Sequence, residues 1–314
     1  MGMEDYPRDL LEFEQRFASE EACREYLFQL RWPNGFRCPR CQHQKAWKTS
    51  ECLYYCIKCK YKASVTAGTI FQDTSKPLKV WFRAMWYVTN QKQGVSALGL
   101  QRMLGLGSYR TAWSWLHKLR CAMVRPGRDR LSGVVEVDEA YIGGVKPGKR
   151  GRGAAGKALV VIAAQKDGKR IGRIRLKYVA DASAKSLNEA VKDSVEPNSI
   201  VRTDDWNGYN QLHKLGYSHD VIHKTSGVGE NLLPSANIVI SLLKRWLLGI
   251  HQGAVNISHL DYYLDEFTFR FNRRTSTSRG KLFYRLVQQA AEVEPIPIKN
   301  ISTGRTESEP LYIV

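Results

Sequence analysis

Four cysteines in two closely spaced pairs constrain the N-terminal part of this chain more than any other feature. Cys38 and Cys41 form one CxxC pair, and Cys56 and Cys59 form a second, with 14 residues between the pairs. Two cysteines separated by two residues can reach one tetrahedral ion from a single tight turn, and two such turns complete a site with four thiolate ligands. The sequence therefore predicts a structural Zn²⁺ ion in a small zinc-ribbon module.

The remaining cysteines and the start of the chain indicate an intracellular protein. The chain has seven cysteines, an odd number, so a secreted disulfide framework is the poorer explanation. His43 and Cys52 are spare potential ligands that lie outside the two pairs. The N-terminus is acidic and not signal-like, and no apolar run reaches the roughly 18 residues of a membrane span. We expect a soluble, cytoplasmic protein without a membrane partner.

The charge of the chain favours a polyanionic partner. Its 48 Lys and Arg residues outnumber 30 Asp and Glu residues, which gives a formal net charge of +18. Such an excess is typical of proteins that bind nucleic acid, and an acidic membrane surface is the second candidate.

Helical periodicity covers the stretch from Leu78 to Met123 in three short runs. Ser96 and Ser108 are candidate N-caps, so the last two helices could form a helix-turn-helix. The third run carries four basic residues suited to phosphate or base contacts: Arg110, His117, Lys118 and Arg120. An ordinary helical linker with a basic, solvated face is the alternative.

β-Branched residues accumulate from Gly133 onward and indicate strands. An Asp167-Gly168 turn predicts a hairpin, and Ser183 to Val195 predicts a capped helix before the next strand. Further helices are expected at 235–250 and 258–272. This order favours a mixed α/β sheet covered by helices. The signals fade beyond Arg274, and the last stretch, residues 294–314, is expected to be a weakly structured tail.

Two aspartates in this region suggest a second kind of metal site. Asp138 lies within the apolar strand VVEVDEAYI, and Asp204 ends the strand SIVRT. An ionised side chain on a core strand is costly unless it is paired or bound to a cation. The alternative is that both strand ends meet water and that Asp204 is a turn residue.

The sequence resembles a family of insertion-sequence transposases over nearly its whole length, from the ribbon to about Glu294. The matching blocks include FRCPRC, EVDEAYIGG, VRTDDWNGY, SLLKRWLLGIHQG and YLDEFTFRFNRR. They are similar to those of the bacterial ISXO-like group, which combines a zinc ribbon with an RNase H-like DDE catalytic domain. The resemblance implies a multidomain α+β protein in which a helix-turn-helix-like segment links these two parts.

Residue by residue, the resemblance implies a catalytic set of Asp138, Asp204 and Asn237. Relatives place Glu, His or Asn at the third position, so Asn departs from the strict DDE pattern but not from this group. Hard oxygen ligands suit Mg²⁺ or Mn²⁺, and a neutral amide leaves one ion with less charge to offset it. Four acids could each supply a compensating carboxylate if the fold brings them near, and their spacing does not decide among them: Glu230, Asp205, Asp265 and Glu266.

DNA-binding residues are expected in all three parts of the chain. The basic loop from Lys146 to Lys157 holds five Lys or Arg and no acid, although a flexible surface loop is its alternative reading. The candidates are Arg37, Arg40, Lys58, Arg110, Lys118, Lys149, Arg150, Arg152, Lys244 and Arg245.

The expected organisation is residues 1–70 for the N-terminal helix and ribbon, 77–126 for the helical segment, 130–274 for the catalytic domain and 275–314 for a partly disordered extension. Such a protein would bind the terminal inverted repeats of its element, as a homodimer on double-stranded DNA near the nucleoid, and cut and join the ends. The alternatives are a catalytically weakened or domesticated DNA-binding protein and a structure-specific nuclease of the same fold.

Overall fold

The computed structural model describes residues 4–125, 127–143, 157–223, 232–251 and 255–304. The chain divides into two compact units. The first comprises Met1–Arg125 and Ser276–Ser302, and the second comprises Pro126–Thr275 and Thr303–Val314. The first unit therefore combines the N-terminal part of the chain with a segment that follows most of the second unit in sequence.

The helices and strands alternate in blocks along the chain. In order they are α1 (Leu10–Arg16), α2 (Glu20–Arg31), β1 (Ala46–Lys48), β2 (Tyr54–Cys56), β3 (Lys62–Ala63), α3 (Leu78–Asn90), α4 (Ala97–Leu104), α5 (Tyr109–Ala122), β4 (Val134–Ile142), β5 (Ala158–Asp167), β6 (Arg170–Val179), α6 (Ala184–Ser194), β7 (Ile200–Thr203), β8 (Ser218–Val221), α7 (Pro234–His251), α8 (Leu260–Asn272), α9 (Arg279–Glu292) and α10 (Ile298–Thr303).

Aromatic rings hold the helices of the first unit together. Phe13 of α1 and Phe82 of α3 both contact Phe283 of α9, with ring centroids 5.3 Å and 5.7 Å apart. Phe17 lies between them, 5.0 Å from Phe82. All four side chains are buried. Edge-to-face contacts of this kind add to the hydrophobic stabilisation from burial, so a helix from the far end of the sequence completes this core.

Helix α9 differs from the expectation that the signals fade after Arg274. Ser278 caps it by accepting a hydrogen bond from the backbone N–H of Lys281. Its buried residues recur at helical spacing, as Leu282, Phe283, Leu286 and Val287 show. The helix is stable because this apolar stripe is covered by the rest of the first unit.

The three helices expected between Leu78 and Met123 are confirmed as α3, α4 and α5. Both predicted N-caps are also confirmed, since Ser96 accepts from the N–H of Gly99 and Ser108 accepts from the N–H of Thr111. Gly105 ends α4 in the left-handed conformation with φ of 60°, where glycine has no steric penalty.

Two basic residues of α5 do not face solvent. His117 and Arg120 are 0% and 2% exposed, and Arg120 Nη1 lies 3.4 Å from His117 Nε2. The expectation that these two side chains contact phosphate or bases is therefore wrong, because the α5 face that carries them is packed inside the first unit.

The second unit is built on a five-stranded mixed sheet with the order β6-β5-β4-β7-β8. Strands β4, β5 and β6 form an antiparallel meander, and β7 and β8 lie parallel to β4 and to each other. The predicted hairpin turn is present between β5 and β6, with Gly168 at φ of 58°. This strand order with helices on both faces is the RNase H-like architecture that the resemblance implied.

Each face of the sheet packs against a different set of helices. One face is covered by α6, including buried Leu187 and Val191. The other is covered by α7 and α8, including Val239, Leu243 and Phe267. Side chains on β4 alternate between the two cores, which decides where the candidate catalytic residues lie.

None of the helices formed by the described residues is long and apolar enough to cross a bilayer.

Candidate active site and zinc centre

The four cysteines of the two CxxC pairs converge in the first unit. Their Sγ atoms all lie within 4.8 Å of one another, with Cys38 to Cys59 at 3.5 Å and Cys41 to Cys56 at 3.6 Å. A tetrahedral ion with Zn–S bonds of about 2.3 Å requires sulfur atoms about 3.8 Å apart. The four thiols therefore fit Zn²⁺, and they form the zinc site of a zinc ribbon.

The local backbone favours the thiolate form of one of these four ligands, Cys56. Burial would raise the pKa of the Cys56 thiol, but the backbone N–H groups of Cys59 and Lys58 and the neighbouring thiols lower it to about 7. Such N–H donors favour the charged form of the ligand. Cys38 and Cys56 are fully buried beside Phe36 and Ala63, so the ligands are themselves the centre of the ribbon core.

His43 and Cys52, the spare potential ligands, do not join this site. The part of the chain that the structure describes holds one group of three or more Cys, His, Asp or Glu side chains close enough to share an ion, and it consists of the four paired cysteines.

Asp138 and Asp204 lie side by side on neighbouring strands. In the parallel β4–β7 pair, Val134 lies opposite Ile200 and Glu136 opposite Arg202. Continuing that register by two residues places Asp138 level with Asp204, which directly follows the last residue of β7. Both aspartates are half-buried.

Alternation along β4 assigns Asp138 to the face covered by α7. Val135 and Val137 belong to the core under α6, whereas Ala140 and Ile142 belong to the core under α7 and α8. Asp138 is two residues before Ala140 and four before Ile142, so its side chain lies on the same face of the strand as theirs. Its carboxylate therefore projects toward the layer that contains Asn237.

Tyr209 binds Glu139, which shares the α6-covered face of β4 with Val135 and Val137. Its hydroxyl donates a 2.8 Å hydrogen bond to Glu139 Oε2, and the side chain is fully buried. Burial, then the charge of Glu139, raise the pKa of Tyr209 well above its ordinary value, and Asp138 and Asp204 act in the same direction. The phenol therefore stays protonated beside Glu139, an acid on the opposite face of β4 from Asp138 that the sequence analysis did not single out.

The turn after Asp204 is fixed by its own packing. Asp204 Oδ1 accepts from the backbone N–H of Trp206 at 3.2 Å, and Trp206 Nε1 donates to Ala182 O. A Cβ at Gly208 would lie 2.7 Å from Leu187 Cδ1 and 2.8 Å from Trp206 Nε1. Glycine is required there because any larger residue would displace the indole that orients the turn.

The first backbone N–H groups of helix α7 donate hydrogen bonds to a buried carboxylate of β4. Glu136 is 2% exposed, and its Oε2 accepts from the backbone N–H of Ser235 at 2.6 Å and of Ala236 at 3.2 Å. Lys166 Nζ lies 3.5 Å from the other oxygen. A carboxylate at a helix N-terminus satisfies exposed N–H groups and complements the helix dipole. Glu136 therefore ties the start of α7 to the strand that carries Asp138.

We expect Glu136→Ala to lower the free energy of unfolding of the second unit by about 2–3 kcal/mol, since two buried N–H groups lose a charged acceptor. Urea denaturation would measure the loss, and hydrogen exchange at the Ser235 and Ala236 amides should accelerate. Lys166→Met, which removes only a partly exposed ion pair, should cost less than about 1 kcal/mol. Equal losses in the two variants would contradict the anchoring role.

Asn237 lies in the first turn of this anchored helix. Its backbone N–H donates to Leu233 O at 2.9 Å, and its side chain is half-buried. The anchor at Ser235 and Ala236 lies immediately before it. Asn237 is thereby held on the same face of the sheet as Asp138.

Two of the four acids considered as compensation for Asn237, Asp205 and Glu266, have other partners. Asp205 is exposed, with its Oδ2 3.2 Å from His223 Nδ1. Glu266 is 2% exposed and accepts from Arg270 Nε and Nη2 at 2.9 Å and 2.7 Å. Asp265 is half-buried on α8, and Glu230 lies outside the described residues.

Most of the candidate DNA-binding residues are available on the surface. Exposed side chains are those of Arg37, Arg40, Lys58, Arg110, Lys244 and Arg245. Lys118 is half-buried, and burial lowers its pKa despite an opposing effect of Asp73. Lys149, Arg150 and Arg152 lie outside the described residues.

Comparison with known proteins identifies both parts of the chain. Residues 130–272 match the model of the ISXO2-like transposase domain, and residues 18–62 match that of the transposase zinc-ribbon domain. An uncharacterized protein in transposable element ISH50 of Halobacterium salinarum is 29% identical over 140 residues. That match covers 43% of this chain and 45% of the relative, so it spans less than half the length of either protein.

Two solved structures that are similar to this chain have lower sequence identity to it than the ISH50 protein. A chain of the simian T-cell lymphotropic virus intasome in complex with PP2A regulatory subunit B56 gamma is 12% identical, covers 64% of this chain and 72% of its own, and has a TM-score of 0.31. A chain of the Mos1 strand transfer complex is 14% identical, with coverages of 70% and 78% and a TM-score of 0.28.

The family assignment rests on the sequence models and on the site described above. The two models together match more than half of the chain and join the same two parts that the structure forms, a four-cysteine ribbon and an RNase H-like sheet. Residues 18–62 belong to the transposase zinc-ribbon family, and residues 130–272 belong to the ISXO2-like transposase domain family.

Proposed function

We propose that this chain is a DNA transposase that binds the terminal inverted repeats of its element and catalyses metal-dependent strand cleavage and strand transfer. The observation that carries the proposal is the register of β4 and β7, which sets Asp138 level with Asp204 within the ISXO2-like domain. The proposed protein acts on double-stranded DNA, as a homodimer on the element ends, in the cytoplasm with the nucleoid.

Asp138, Asp204 and Asn237 would hold divalent cations, Mg²⁺ or Mn²⁺, beside the carboxyl-terminal end of β7. The donor set fits such ions because it offers only hard oxygen atoms. When bound, a pair of divalent ions activates the attacking oxygen and stabilises the leaving oxygen of an in-line displacement at phosphorus. The protein's own contribution is to hold two carboxylates and one amide on a rigid strand pair and an anchored helix.

The proposed DNA contacts are distributed over both units. Arg37, Arg40 and Lys58 of the ribbon and Arg110 and Lys118 of α5 would bind the element ends. In the second unit, Lys244 and Arg245 follow Asn237 on α7 and would bind phosphates near the cut. The basic loop residues Lys149, Arg150 and Arg152 complete the proposed set.

The test is incubation of the full chain with labelled DNA that carries the element's ends, in the presence of Mn²⁺ or Mg²⁺. Cleavage at the ends followed by joining to target DNA supports the proposal. Specific binding without cleavage would indicate a DNA-binding protein that has lost catalysis, to which the neutral Asn237 points. Cleavage without joining would indicate a nuclease.

We expect Asn237→Glu to retain or increase Mg²⁺-dependent cleavage. A carboxylate at this position adds a negative charge beside the proposed ion, while the anchor of α7 at Glu136 keeps the backbone in place. The measurement is the cleavage rate as a function of Mg²⁺ concentration, with a lower concentration for half-maximal rate expected in the variant. Asn237→Ala is the matched control and should need more Mg²⁺; a complete loss in Asn237→Glu would argue for another role of Asn237.

A further inference from the structure

One face of the ribbon sheet has no role in holding zinc. Ala46, Tyr54, Cys56 and Ala63 face the core that surrounds the ligands. Successive strand residues point to opposite sides, so Trp47, Tyr55 and Lys62 occupy the outer face. Trp47 lies opposite Tyr55, and Tyr55 lies opposite Lys62. These three side chains form a row across the strands, which we call the outer row.

The outer row presents an aromatic surface to solvent. The Trp47 side chain is 54% exposed, and its ring centroid lies 5.0 Å from that of half-buried Tyr55, at an interplanar angle of 37°. Lys60 Nζ lies 5.8 Å from the Tyr55 ring centroid. Because the ribbon core is on the other side, neither packing nor zinc binding explains a large exposed indole at this position.

The ribbon that carries the outer row is strongly positive, and two of its cations, Lys60 beside the Tyr55 ring and Lys62 within the row, lie at the aromatic side chains. Residues 36–63 contain seven Lys or Arg and a single acid, Glu51. Glu51 is exposed and lies 3.9 Å from Lys62, so the pair is loosely held. A basic surface that surrounds exposed aromatic rings complements a strand of nucleic acid with accessible bases, whose phosphates bind the cations and whose bases stack on the rings.

We propose that Trp47 and Tyr55 form a stacking surface for unpaired bases of single-stranded DNA. Bases within a duplex are stacked on each other and present only their edges in the grooves, whereas an unpaired base can lie flat on an indole. The inference deepens the proposed DNA-binding role of the ribbon and rests on it. Its ligand is a DNA strand with unpaired nucleotides, such as an opened or frayed element end.

The test compares three DNA probes with the full, zinc-loaded chain. They are a single-stranded oligonucleotide, a blunt duplex of an element end, and the same duplex with a short single-stranded overhang, each measured by fluorescence anisotropy at fixed salt. Trp47→Ala should weaken binding of the single strand and of the overhang on the order of 10-fold and leave blunt-duplex binding nearly unchanged. Trp47→Phe, which keeps a flat ring, should restore most of the loss.

A charge control separates stacking from electrostatics. Lys62→Gln, which removes the cation within the outer row, should weaken binding of all three probes by a similar factor and, when the salt concentration is varied, reduce the salt dependence of binding. Zinc content should be the same in every variant because the outer row lies outside the ribbon core.

Three results would overturn the inference. If Trp47→Ala weakens binding of all three probes equally, Trp47 contacts DNA without stacking on unpaired bases. If Trp47→Ala changes the binding of none of them, the outer row does not bind DNA and a protein partner becomes the better explanation. A wild-type chain that binds the blunt duplex but not the single strand would sink this inference and leave the proposed function intact. A wild-type chain that binds none of the probes would instead count against the proposed function itself.

Discussion

Replacement of Asp138 or Asp204 by Asn is expected to reduce cleavage and joining of end-bearing DNA by at least about 1,000-fold, the equivalent of roughly 4 kcal/mol of transition-state stabilisation. Asparagine keeps the size of the side chain and can still accept the N–H of Trp206 next to Asp204. It removes the negative charge that a divalent cation requires. The rates would be measured on denaturing gels with labelled DNA and with Mg²⁺ or Mn²⁺.

Asp205 provides a matched control for this experiment. It is adjacent to Asp204 in sequence, but it is exposed and faces His223. Asp205→Asn should therefore cleave and join DNA at rates close to those of the wild type. All three variants should bind the end DNA as the wild type does, since they change no basic residue. Joining that survives in Asp138→Asn or Asp204→Asn would refute the proposed catalytic set.

Removal of the zinc ion should abolish specific binding of the element ends. The two fully buried ligands, Cys38 and Cys56, make up half of the four buried residues of the ribbon core, so the metal that they bind is central to the stability of this module. Structural Zn²⁺ contributes on the order of 10–16 kcal/mol to the folding of such small modules. Cys38→Ser, or treatment with a chelator, would be followed by zinc analysis, limited proteolysis of the ribbon and end-DNA binding.

Cys52 is the control for the zinc experiment, because it lies in the same module but outside the ligand group. Cys52→Ser should keep the zinc and the binding. Omission of Mg²⁺ should give the opposite pattern to zinc removal, sparing binding and stopping cleavage. Specific end binding by the zinc-free chain would show that recognition lies elsewhere, with α4 and α5 as the next candidates.

Local features were predictable from the sequence because their causes are local. The CxxC spacing determines a metal-binding turn, and the serines at 96 and 108 cap the helices that follow them. The hairpin at Gly168 follows from its turn residues. Each of these depends on a few consecutive residues, so no long-range contact was needed to predict it.

Long-range features were not predictable in the same way. Asp138 and Asp204 are 66 positions apart in sequence, and strand patterns alone do not state that β4 and β7 are neighbours. The family resemblance supplied that pairing as an expectation. The role of Glu136 was missed, although an acid on the core face of an apolar strand signals a buried partner.

Two errors have clear physical causes. The charges of His117 and Arg120 suggest a position at the surface, but both side chains lie on the face of α5 that is buried inside the first unit. Helix α9 was overlooked although Leu282, Phe283, Leu286 and Val287 follow helical spacing. Its stability comes from aromatic contacts with helices more than 190 positions earlier in the sequence, which no local pattern reveals.

The bond between Glu136 and the start of α7 also affects how the molecule tolerates changes in length. Because the helix is attached directly to β4, the spacing between Asp138 and Asn237 does not depend on the turns that connect the strands between them. Closing a longer surface turn costs only about 0.6 kcal/mol for each doubling of its length. The exposed turn at Gly168 can therefore accept a peptide tag or a fused domain while the oxygen atoms of the candidate site keep their positions.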